Sequence, residues 1–63
     1  MNLTVNGSAR EVAEGTVVRD LLPEDCRGTA VAVNGAVVLR ADHATTPLTE
    51  GDVVEIVTAV QGG

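Results

Sequence analysis

Sixty-three residues, 44% of them hydrophobic and none aromatic, bound this chain to one small domain with an aliphatic core. Nine acidic residues against four basic ones leave a formal charge of −5, which argues against binding nucleic acid or an anionic membrane surface. The single cysteine, Cys26, rules out an intramolecular disulfide, and the lone His43 stands too far from it in sequence to suggest a metal site.

Leu3 and Val5 alternate with polar Asn2, Thr4 and Asn6, the pattern of a half-buried strand. Asn6-Gly7 then signals a tight hairpin, because both residues tolerate positive φ. The returning strand is expected over residues 9–13 (AREVA), with Val12 as its core contact. Thr16 is placed to cap a helix whose Val18, Leu21 and Leu22 share one face, with Arg19 and Asp20 turned away. Pro23 disfavours helical geometry at Leu22, so the helix is short or restarts as a turn through PEDC before Gly28 stops it.

Residues 29–33 (TAVAV) are apolar on both faces and read as a central strand. A second Asn-Gly turn at Asn34-Gly35 returns the chain through residues 36–39 (AVVL). Residues 40–49 lack sustained periodicity and read as a loop with at most one helical turn; Glu50-Gly51-Asp52 is a turn, and Val53–Thr58 is the last strand. Glu55 marks the wet face of that strand. Val53 and Val57 therefore belong on the open face, and Val54 and Ile56 under the helix. The expected architecture is α+β, a mixed sheet of about five strands wrapped around one short helix.

No side-chain set suggests catalysis. Cys26 lies among Glu24, Asp25 and Arg27 and reads as an incidental or partly buried thiol. His43, beside Asp42, reads as a satisfied or exposed loop histidine. Glu11, Glu14, Glu50 and Asp52 read as solvated carboxylates, and turn chemistry accounts for both Asn-Gly pairs. The N-terminal MNLTVN has neither the basic segment nor the apolar run of a signal peptide, and no apolar stretch approaches the ~20 residues of a membrane helix. A cytoplasmic protein, monomeric when free, is expected. All four basic residues are arginines, and a basic groove on another protein would suit the acidic surface.

The C-terminal VTAVQGG carries the chemical interest. Glycine has the most backbone entropy to lose on ordering, so Gly62-Gly63 contributes little to a fold. It does offer an α-carboxylate on an arm narrow enough for a slot that admits no Cβ. From Ala59, five extended residues reach roughly 17 Å. Such a carboxylate is inert until activated, and adenylation would open it to a sulfur or nitrogen nucleophile. The pair reads as a substrate handle.

Taken with MNLTVNG and GTVVRDLL, the second half (VAVNGAVVLR, then PLTEGDVVEIVTAVQGG) resembles the ThiS family of ubiquitin-like sulfur carriers over essentially the whole chain. The resemblance implies a β-grasp fold over residues 1–58 and a flexible tail over residues 59–63. It also implies that Gly63 is adenylated at the expense of ATP by a ThiF-type, E1-like adenylyltransferase. Sulfur from a donor such as a cysteine desulfurase would then convert it to a thiocarboxylate, and a ThiG-type thiazole synthase would use that sulfur in thiamin biosynthesis. On this reading Gly62 fits the slot, Ala59, Val60 and Gln61 thread the partner's active site, and the chain itself binds no cofactor. Docking through Val53 and Val57 is an inference from the strand pattern. The sequence departs from the family at Leu39 and His43, where members often carry proline and tryptophan. Alternatives are a carrier serving molybdopterin, cysteine, tRNA thiolation or natural-product sulfur, or a non-catalytic β-grasp binding module.

Overall fold

A computed structural model describes residues 1–24 and 28–58. Strands β1 (Asn2–Val5) and β2 (Ser8–Glu11) form the first hairpin, β3 (Thr29–Val33) and β4 (Ala36–Val38) the second, and β5 (Val53–Thr58) closes a five-stranded sheet of order β2-β1-β5-β3-β4. β5 lies between the hairpins, parallel to β1 and antiparallel to β3. The α+β mixed sheet inferred from the sequence is therefore the one observed.

Both hairpins turn as Asn-Gly pairs should. Asn6 and Gly7 have φ of 50° and 82°, and Asn34 and Gly35 have 51° and 83°, the two positive values of a type I′ turn. A two-residue loop fixes the register, here Val5↔Ser8 and Val33↔Ala36. That geometry moves β2 earlier than residues 9–13, to Ser8–Glu11. Val12 still closes the hairpin: its N–H donates to Met1 O at 2.8 Å, and the Met1 amino group donates to Val12 O at 2.7 Å.

Among the described residues, the expected helix is a single 3-10 turn over Val18–Leu21. Its length follows from its two ends. Val17 is extended (φ −108°, ψ 167°) because it bridges Pro47, and Leu22 is extended (φ −102°, ψ 154°) ahead of Pro23. Only four residues remain between them, enough for one turn and too few for an α-helix to propagate. The first N–H groups are satisfied by the facing loop, with Val18 N–H donating to Thr46 O (3.0 Å) and Arg19 N–H to His43 O (2.8 Å).

Thr16 is not the cap. Its hydroxyl donates backward to Ala13 O at 2.7 Å, while Asp20 Oδ2 accepts from Val17 N–H at 3.0 Å. Nor does Arg19 simply point away. Its guanidinium gathers the carbonyls of Leu22 (3.3 Å), Pro23 (3.0 Å) and Glu24 (3.0 Å), which one 3-10 turn cannot satisfy internally. A second 3-10 turn, Arg40–Asp42, occupies the start of the 40–49 loop.

The core is aliphatic and sits on one face of the sheet. Leu3, Val31 and Val54 from β1, β3 and β5 meet Val18, Leu22 and Leu48, with Ile56, Val33, Val38 and Val12 packed around them. Val54 and Ile56 thus lie on the covered face, as the position of Glu55 implied.

Candidate functional site

Strand alternation places Val53, Glu55 and Val57 on the sheet face opposite the core. The register adds neighbours: Thr4 lies opposite Val53, Ala32 opposite Glu55, Ala30 opposite Val57, and Val37 of β4 opposite Ala32. The result is an uncovered, largely apolar face with the Glu55 carboxylate at its centre. Val53 is 44% exposed, Val57 64%, Val37 75%, and Leu39, just past β4, 67%. Sequence reasoning found Val53 and Val57 but missed Val37 and Leu39. Their signal was parity: within VVL only Val38 shares the covered face, as its register with buried Val31 requires.

The other predicted site residues, Ala59, Val60, Gln61, Gly62 and Gly63, lie outside the described residues, as does Cys26. What the structure does show is how β5 is held on its way to them. Each Asn-Gly turn clasps this strand with its asparagine side chain. Asn34 N–H donates to Val53 O (2.7 Å), and Asn34 Oδ1 accepts from Val53 N–H (2.9 Å). Asn6 N–H donates to Val54 O (2.9 Å), its Oδ1 accepts from Ile56 N–H (2.8 Å), and its Nδ2 donates to Ile56 O (3.1 Å). Turn chemistry alone therefore does not account for these two asparagines; both also tie the central strand in place.

Two of the described polar residues are buried. Asp52 is buried, not a solvated turn carboxylate, with only 9% of its surface exposed. Thr49 N–H donates to its Oδ2 at 2.8 Å, and Asn34 Nδ2 (2.9 Å) and Thr49 Oγ1 (3.1 Å) donate to its Oδ1. The Thr49 N–H and the Asn34 amide hold its pKa below the usual carboxylate value, outweighing burial, which pushes the other way. Glu50, by contrast, is exposed, and its Oε1 accepts from Asn2 N–H at 2.9 Å.

His43 is buried at 3% exposure rather than lying at the surface. Its Nε2 lies 3.1 Å from Val38 O, and since a carbonyl only accepts, that nitrogen carries the proton. Nδ1 is buried without a partner. The His43 carbonyl accepts from Arg19 N–H of the 3-10 turn, while the ring ties the 40–49 loop to the end of β4. It supplies bulk where the chain has no aromatic side chain to offer. Among the described residues, no three His, Cys, Asp or Glu side chains gather as a metal would need, and no helix is long and apolar enough to cross a membrane.

Comparison with known proteins finds relatives that match nearly the full length of the chain. The ThiS family profile matches residues 3–63. A sulfur carrier protein ThiS from Thermus thermophilus is 37% identical over 62 residues, covering 94% of this chain and 95% of that protein. The crystal structure of a thiamine biosynthesis protein (ThiS) from Geobacter metallireducens superposes with a TM-score of 0.82 at 36% identity, covering 100% of both chains. A solution structure of a Geobacter metallireducens thiamine biosynthesis protein gives 0.80 at 36% identity, over 100% of this chain and 88% of that one.

Proposed function

Because this chain belongs to the ThiS family, we propose that it is a sulfur carrier of thiamin biosynthesis whose sulfur-bearing group is the α-carboxylate of Gly63. One observation carries this reading. The family match runs through Gly62-Gly63, residues that add almost nothing to folding.

The chemistry follows from the group. A ThiF-type, E1-like adenylyltransferase joins the Gly63 carboxylate oxygen to the α-phosphorus of ATP and releases pyrophosphate. A sulfur nucleophile then attacks the acyl carbon and expels AMP. If the donor is a persulfide, such as that of a cysteine desulfurase, a thiol reductant cleaves the resulting S–S bond and leaves Gly63 as a thiocarboxylate. A ThiG-type thiazole synthase takes the sulfur, and an oxygen from its substrate or from water replaces it and restores the carboxylate. In this scheme the chain is a co-substrate and supplies no acid or base; ATP belongs to the partner.

Two parts of the molecule serve that role. Ala59, Val60, Gln61 and Gly62 form the arm that threads the partner's active site. The open face carrying Val53 and Val57 is where the partner docks, extended by Val37 and Leu39. Apolar side chains left uncovered on one face mark a contact surface, and a single domain over residues 1–58 presents it. The setting is cytoplasmic, with the free carrier monomeric.

The test is intact-mass measurement after incubation with the adenylyltransferase, ATP and a sulfur donor. One oxygen should be exchanged for sulfur in the full chain and not in a chain lacking Gly63. No exchange, or exchange that survives the deletion, would defeat the proposal. Consumption of the loaded protein by a thiazole synthase separates the thiamin pathway from the other sulfur pathways.

A further inference from the structure

β5 is the strand that runs into the tail, and its two edges are held unequally. On the β3 side, pairing continues from Val33↔Val54 to Thr29↔Thr58, the full length of the described strand. On the other side β1 supplies only Thr4↔Val53 and Val5↔Val54 before the chain turns away at Asn6-Gly7. The ladder would therefore stop at Val54 on that side. It does not, because the Asn6 side chain takes the next rung. A carboxamide carries the same donor and acceptor as a peptide group, and Asn6 presents them to Ile56 O and Ile56 N–H at 3.1 and 2.8 Å.

The next main-chain groups facing that edge are those of Thr58, and no described residue bonds them there. Ile56 is thus the last described residue of β5 whose main-chain groups are bonded on the β1 edge. Beyond it, the described residues hold Val57 and Thr58 on the β3 side alone.

The geometry points to Asn6 as a positioning residue for the tail reaction, fixing where the arm leaves the sheet and in which direction. This rests on the carrier reading above. Releasing Ile56 would leave β5 held on one edge only beyond Val54. The arm would become longer and less directed, so more docked complexes would hold the carboxylate away from the reacting phosphate. Docking through the open face would not change. The signature is a lower kcat at unchanged KM.

Asn34 supplies the matched control. It sits in the same turn type, with φ of 51°, and clasps β5 at Val53, the end remote from the tail. Asn6→Gly and Asn34→Gly both keep a residue at home at positive φ, and each removes the side-chain clasp.

The experiment measures pyrophosphate release by a ThiF-type adenylyltransferase with the carrier as varied substrate, at a temperature where circular dichroism shows all variants folded. For Asn6→Gly, kcat should fall about tenfold, the scale of a modest misplacement of a reacting group, with KM within about twofold. Asn34→Gly should match the parent in both. Should Asn6→Gly not fold, Asn6→Asp takes its place; it keeps the acceptor for Ile56 N–H but turns a carboxylate oxygen toward Ile56 O, and its kcat should also fall. An unchanged kcat in the folded Asn6 variant, or an equal loss in Asn34→Gly, overturns the inference.

Amide hydrogen exchange needs no partner and separates the two layers of the argument. Ile56 and Val57 should exchange faster in Asn6→Gly and not in Asn34→Gly. If the parent protein is never adenylated, the carrier reading fails, while exchange still reports on the clasp. Unchanged exchange at Ile56 overturns the clasp itself.

Discussion

Asn34 Nδ2 donates to Asp52 Oδ1 at 2.9 Å, tying the second hairpin turn to the residue that enters β5. With Thr49 N–H and Thr49 Oγ1 as further donors, the carboxylate receives three hydrogen bonds and has no need of a counter-ion. Replacing Asp52 by Asn forces an NH₂ group toward one of those donors. Asp52→Asn should lose about 2 kcal/mol at neutral pH, the scale of hydrogen bonds to a charged group.

The sign of the pH dependence follows from the lowered pKa of Asp52. A carboxyl whose folded value lies below its unfolded value, about 3.9, stabilises fully above that value and loses the contribution as pH falls through the folded one. The gap between parent and Asp52→Asn should therefore narrow below about pH 4. Urea midpoints at pH 7 and pH 3 measure it, and parallel curves would exclude the linkage.

Leu48 joins the loop to the core, buried at 4% exposure, with its N–H donating to Thr16 O at 3.0 Å. Leu48→Ala should cost about 3 kcal/mol through lost burial and a residual cavity. A domain of this size has roughly 3–9 kcal/mol in total. The variant should show a large drop in urea midpoint and be partly unfolded at 37 °C. A drop worth under about 1 kcal/mol would mean that the loop collapses to fill the space.

His43 allows a sharper comparison because the ring has one satisfied and one orphaned nitrogen. Alanine leaves a cavity and an unpaired Val38 carbonyl. Leucine leaves the same carbonyl, but fills most of the volume and removes the orphaned Nδ1. His43→Ala should lose about 2–3 kcal/mol, and His43→Leu clearly less. Equal losses would mean that the Nε2 bond, rather than packing, holds the loop.

Local signals and tertiary ones explain what could be read in advance. The two Asn-Gly turns, the strand alternation around Leu3 and Val5, and the parity of Glu55 are short-range features, and all appear in the sheet. The helix was over-read because Val18, Leu21 and Leu22 have helical spacing, while the bridge from Val17 to Pro47 is a long-range contact that consumes its first turn. Burial of Asp52 and His43 was illegible for the same reason. Each is polar, and each finds its partners on segments distant in sequence or beyond a turn. For the site, the open face was legible from one charged residue in β5. The Asn6 clasp was not, since a turn signal at Asn6-Gly7 was already sufficient explanation.

Gly35 tests whether a turn position is limited by space or by backbone. Its φ is 83°, and a Cβ there would meet nothing within 4 Å. Gly35→Ala should cost about 1 kcal/mol from left-handed strain alone. A crystal structure or NMR shifts should show the hairpin register unchanged. A shifted β3–β4 register would mean that the glycine also sets the pairing.

Val57 tests the docking face with little risk to the fold. It is 64% exposed and points away from the core. Threonine keeps its shape and β-branching while replacing a methyl by a hydroxyl. Stability should stay within about 0.5 kcal/mol of the parent, as for other surface changes. Against an apolar partner surface the buried hydroxyl finds no acceptor, which costs about 1–2 kcal/mol and raises KM in adenylation about tenfold. Because the arm is untouched, kcat should hold, the reverse of the pattern expected for Asn6→Gly. Val53→Thr, at 44% exposure, should behave the same way more weakly. If Val57→Thr lowers kcat and leaves KM alone, β5 acts on the tail rather than on docking. If neither constant moves, the partner binds another face of the molecule.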